Sequence, residues 1–202
     1  MRLFAVLLVS LFAPVCNYAQ TPSPSPNPKH KTKVETKYDA GKNETEARIG
    51  PLELWKPPSG ISAGLNYERV DLFIYSSYPG KKIVTPRTVT FLVFSYTIAG
   101  TLFDRERNIS ILTDARNHDL GDLEIVSKSQ SRVSTGDAYP LTMATLNTEQ
   151  VRKAIPFDDF AQIAQAKTAQ IKLADRKFKI AKEHLEAFRN FLLLMQQQGM
   201  EF

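Results

Sequence analysis

The chain is short of the residues that carry covalent and metal chemistry. One Cys in 202 residues excludes an intrachain disulfide framework. Histidine occurs three times, as His30, His118 and His184. Glu183-His184 shares the composition of a zinc-binding H-E-x-x-H helix, but no second His follows four residues on. No G-x-S-x-G marks a nucleophile elbow. Gly80-Lys81-Lys82 lacks the upstream Gly and the Ser/Thr of a phosphate-cradling loop. No internal repeat recurs at a solenoid or propeller period. Past the first residues, no apolar run approaches the roughly 20 residues that span a bilayer. The run FLLLM at 191–195 is bounded by polar residues.

What is present begins with a leader. Met1-Arg2 and the apolar stretch 3–15, LFAVLLVSLFAPV, have the charge and length of a signal peptide. Two processing routes fit. Cleavage after Ala19 leaves a mature chain starting at Gln20 with no thiol, which excludes thiol catalysis and thiolate metal sites. Lipid attachment at Cys16 instead anchors the chain to the envelope, although Val15 stands where Gly or Ala is usual. Loss of Arg2 takes the formal charge from +5 to +4, a mild excess that argues against nucleic acid as a partner.

Residues 20–33 form a linker. TPSPSPNP at 21–28 imposes extended, solvated backbone, and KHKTK at 29–33 is basic without an apolar residue. It reads as a stalk, whose basic end suits anionic headgroups.

A single domain is expected over 34–198, and 43% apolar residues suffice for its core. Period-two alternation predicts strands at Val34–Tyr38, Glu44–Leu54, Leu65–Ser76 and Thr88–Ile98. Gly50-Pro51 breaks the second strand and predicts a bulge or an edge position. Apolar residues on both faces of the central strands predict cover on both sides. Asn108–Thr113 and His118–Leu120 read as a hairpin, Leu123–Ser127 as a short strand, and Asn147-Thr148 as a turn. Phe157, Phe160, Ile163 and Ala164 share a helical face. A small hairpin over 174–176 follows, then a helix from about Lys182 to Gln197 with an apolar stripe. The fold expected is α+β and strand-dominated: an antiparallel β-sandwich, or a twisted sheet backed by the C-terminal helix.

VETKYD at 34–39, KNETEARIGPLEL at 42–54, VTFLVFSYT at 89–97, the IPFDDFAQIAQAK segment and HLEAFRNFL at 184–192 resemble a group of small, uncharacterised exported bacterial proteins. The resemblance covers roughly residues 34–194. It implies export and a β-rich domain with a terminal helix, and it carries over no activity and no site residue.

Candidate sites are few. Asp114, Asp119, Asp122 and Glu124 offer hard oxygen donors for calcium, without the spacing of an EF-hand. Asp104-Arg105-Glu106-Arg107 reads as a solvated, ion-paired edge. The three histidines read as solvated or rim residues. Leu193 and Leu194 extend the last helix's stripe beyond what a core needs and suggest a partner site. No cofactor is implied. The expectation is a non-catalytic exported envelope domain, periplasmic or extracellular, that binds a protein, a glycan or the envelope surface. The alternative is a secreted hydrolase with an acidic, calcium-assisted site.

Overall fold

A computed structural model describes residues 33–56, 68–98, 100–134 and 143–197. The leader and the proline-rich stalk through residue 32 lie outside the described residues. Two antiparallel sheets and two helices make a strand-dominated α+β fold. The strands are β1 (Glu35–Asp39), β2 (Glu44–Trp55), β3 (Glu68–Pro79), β4 (Thr88–Thr97), β5 (Asn108–Thr113), β6 (Asn117–Asp122), β7 (Glu124–Ser134), β8 (Met143–Pro156), β9 (Ala169–Leu173) and β10 (Arg176–Ile180). Helix α1 (Phe157–Gln165) joins β8 to β9, and α2 (Lys182–Gln196) follows β10. The larger sheet runs β1-β2-β3-β4-β8-β7 and the smaller β10-β9-β5-β6.

Alternation decides which face of the larger sheet is buried. On β2 the inward residues are Thr45, Ala47 and Ile49, then Leu52 and Leu54. The parity changes between Ile49 and Leu52, where the register with β3 slips by one residue. This is the bulge that Gly50-Pro51 predicts. Without the extra residue, Leu52 and Leu54 would face solvent. Gly50 is required there: its φ is +126°, and a Cβ would lie 2.7 Å from the Phe73 ring and 3.0 Å from the Leu72 carbonyl oxygen. Gly80, at φ +76°, supplies the turn after β3 that Pro79-Gly80 predicts.

Phe91 on β4 marks the core side. Its ring meets Phe160 of α1 at 6.2 Å and Phe188 of α2 at 6.3 Å, and Phe160 meets Phe191 at 5.6 Å. Helix α2 has Ala181 at its start, which offers no side-chain cap. Tertiary contacts hold it instead. Arg189 donates to the Ala166 carbonyl at 2.6 Å, and Thr85 Oγ1 to that of Met195 at 3.2 Å.

The opposite face differs from expectation. Phe73, Phe94 and Tyr96 are half-buried and pack on one another, Phe73 edge-on to Phe94 at 5.3 Å and Tyr96 stacked on Phe94 at 6.4 Å. The Arg48 guanidinium lies 5.8 Å from the Phe73 ring centre. Among the described residues, both helices stand on the Phe91 side. Among the described residues, the two apolar faces are one core face and one face on which the aromatic rings pack against each other.

Three local expectations are corrected. Asn147-Thr148 is no turn: β8 runs straight through it, and Asn147 is buried, bonded to Gln130 and to the Thr97 carbonyl. Strand β7 continues to Ser134, well past Ser127. Its polar run S-K-S-Q-S-R lies on a sheet edge and needs no apolar alternation. Asp104–Arg107 is a bend rather than a strand.

Candidate functional site

The four carboxylates proposed for calcium do not converge. Asp114 Oδ1 accepts from the backbone N–H of Lys167 at 2.8 Å and of Thr168 at 3.3 Å, tying the β5–β6 turn to the segment after α1. Those bonds hold its carboxyl below the usual range. Asp119 closes a local turn onto the N–H of Gly121. Glu124 takes a two-pronged pair of bonds from Arg152 at 2.8 and 2.9 Å, which lowers its pKa. Asp122 ends β6, the whole length of that strand away from Asp114. Among the described residues no group of three or more His, Cys, Asp or Glu side chains is placed to hold a metal ion.

The leucine pair divides. Leu193 is 58% exposed, whereas Leu194 packs against the core. Cys16 lies outside the described residues, as does His30.

His118 is buried rather than solvated. It faces inward opposite Ile111, beneath Arg116 and Asp159. Arg116 Nη2 reaches both its Nδ1 at 3.3 Å and Asp159 Oδ1 at 2.9 Å. Burial, and then the Arg116 charge, hold the imidazole below its ordinary pKa, with Asp159 opposing them. Burial also lowers His184, whose Nδ1 has no hydrogen-bond partner among the described residues. His118 is thus buried, and His184 is partly exposed.

The chemically dense region lies at one end of the sandwich, and sequence reading missed it. Lys128, Glu149, Ser95 and Val70 form one row across β7, β8, β4 and β3. Glu149 is 1% exposed and on the core side. Its Oε2 accepts from the backbone N–H of Leu102 at 2.6 Å and of Phe103 at 3.1 Å, so it anchors the loop after β4. Its Oε1 lies 3.0 Å from Lys128 Nζ but off the line of a hydrogen bond, so that contact is one of charge. Lys128 also donates to Asp104, and Thr101 donates to the same carboxylate. Those bonds lower the Asp104 pKa, and the Asp104 bond raises that of Lys128. The signal was available in strand parity: Glu149 falls two residues before the inward Val151.

Beside this network opens a cleft of about 540 Å³, whose walls include Thr101, Asp104, Arg105, Glu106, Asp175 and Arg176. Acids and guanidiniums are interleaved there. Arg176 is already drawn to Glu68 at 3.6 Å and to Asp175 at 3.8 Å. Such walls suit a neutral or zwitterionic polar group better than a strong ion.

Comparison with family models, with curated proteins and with solved structures gave no match.

Proposed function

We propose that this protein is a non-catalytic exported domain, held by its proline-rich stalk outside the cytoplasm, that binds a component of the cell envelope. The observation that carries the reading is how its ionisable groups are employed. Asp114 and Glu149 hold backbone N–H groups, Glu124 is closed by Arg152, and Asp104 is closed by Lys128 and Thr101. A general acid or base needs a titrating group free to meet substrate. The leader at 1–19 and the stalk at 20–33 support export. Among the described residues no helix is long and apolar enough to cross a membrane.

Fractionation of the native host, with mass measurement of the N-terminus, tests the reading. A chain beginning at Gln20, or a lipid-modified one beginning at Cys16, recovered outside the cytoplasm supports it. An intact leader on cytoplasmic protein overturns it.

A further inference from the structure

The solvent face of the smaller sheet carries lysines that the fold does not use. Lys172 on β9 stands directly opposite Lys177 on β10, and Lys179 lies two residues further along. Like charges set opposite each other across a strand pair are destabilising. None of the three has an ion-pair partner among the described residues. Lys167 and Lys182, both exposed, flank the end of the sheet where Ala169 meets Ile180, with Asp114 close to Lys167. Two acids share the face: Asp119 on β6, bonded to the N–H of Gly121 and separated from Lys172 by Ser110, and Asp122 opposite Asn108 at the far end of the same strand. In the next row, Leu112 stands beside Gln170, which is opposite Lys179. Leu112 is 53% exposed, an apolar side chain between Gln170 and Asn117 on the face that carries the lysines.

From this juxtaposition we propose that the outer face of β10-β9-β5-β6 docks on an anionic bilayer, with Lys172, Lys177 and Lys179 meeting lipid phosphates and Leu112 entering the headgroup boundary. The unpaired lysines call for a partner rich in negative charge. Leu112 distinguishes a bilayer from a soluble polyanion, because only the bilayer offers an apolar layer just beneath its phosphates. The basic run 29–33 supplies further charge of the same sign. The inference deepens the binding reading above and rests on export. It names the envelope component as lipid.

The test is co-sedimentation of the full exported chain with vesicles. Binding to mixed phosphatidylcholine–phosphatidylglycerol vesicles should exceed binding to phosphatidylcholine alone and weaken as salt rises. Each lysine removed should lower the partition constant about fivefold, so Lys172→Gln, Lys177→Gln and Lys179→Gln together should lower it roughly a hundredfold. Circular dichroism melts should show that variant folded. Leu112→Ser should weaken vesicle binding and leave binding to soluble polyphosphate unchanged. Equal binding to neutral vesicles overturns the proposal. So does a triple variant that binds as the parent does, or loss of all binding on replacing only Lys29, Lys31 and Lys33. Insensitivity of vesicle binding to Leu112→Ser overturns the bilayer in favour of a soluble polyanion. An exported chain indifferent to anionic lipid defeats this inference alone. A chain kept in the cytoplasm with its leader defeats the reading beneath it.

Discussion

Removing the Glu149 carboxylate should destabilise the domain more than any other single change of charge. The side chain is 1% exposed, accepts from two backbone donors and lies against the Lys128 charge. Glu149→Ala leaves the N–H groups of Leu102 and Phe103 without an acceptor, at about 1–3 kcal/mol each. It also leaves the Lys128 charge unmatched, and breaking a buried pair from one side costs about 3–5 kcal/mol. Lys128 is 36% exposed, so water recovers part of that cost. Together these place Glu149→Ala at about 4 kcal/mol, a large share of the about 5–15 kcal/mol that holds a typical domain folded. Glu149→Gln keeps one oxygen for the backbone donors but turns an amide toward Lys128, and should cost about 2 kcal/mol. Equilibrium urea unfolding followed by far-ultraviolet circular dichroism measures both, provided the slope is unchanged. Hydrogen exchange should quicken at Leu102 and Phe103 before it does elsewhere. Asp104→Asn, at the solvent end of the same network, should barely move the midpoint. A Glu149→Ala variant within about 1 kcal/mol of the parent would refute the anchoring role.

Two further outcomes follow from burial. His118 and His184 are both held below the ordinary imidazole pKa, so the unfolded chain binds more protons than the folded one below about pH 6.5. Their contribution to stability is complete above that pH and declines as pH falls through it toward the folded values. His118→Asn should therefore flatten the fall in unfolding free energy between about pH 7 and about pH 5, and an unchanged slope would exclude His118 as its source. On α2, Leu193→Glu should leave the melting temperature essentially unchanged. Leu194→Glu, placed against the core, should cost on the order of 2 kcal/mol, and equal losses in thermal melts would contradict the difference in their burial.

Much of the fold is legible in the sequence because alternation and punctuation agree. The inward set of β2 and its Gly50-Pro51 bulge, the turn at Gly80 and both helices all follow from local pattern. The start of β7 is legible at Leu123–Ser127, but its polar continuation is not, because a stretch exposed on both faces leaves no apolar trace. Asn147-Thr148 misleads because residues favoured in turns sit happily in a strand when buried partners take their side chains. The separation of the candidate calcium ligands has a related reason. Nearness in sequence placed Asp114 and Asp122 together, while an extended strand carries them apart. The Glu149 network joins residues on two strands and a loop, and the lysine face depends on which strand lies beside which. Neither is written in any local spacing.

The order in which the strands pair has a consequence for the chain's life before it folds. Strand β5 sits between β6 and β9, and Ile109 finds its partner Leu173 only after most of the chain has been made. Thr88 likewise waits for Pro156. A topology of such distant pairings closes slowly. Until β9 emerges, the smaller sheet has no more than a lone hairpin, too little to stand by itself in water. On the export route proposed above, such late closure would keep the nascent chain threadable through a narrow secretion pore.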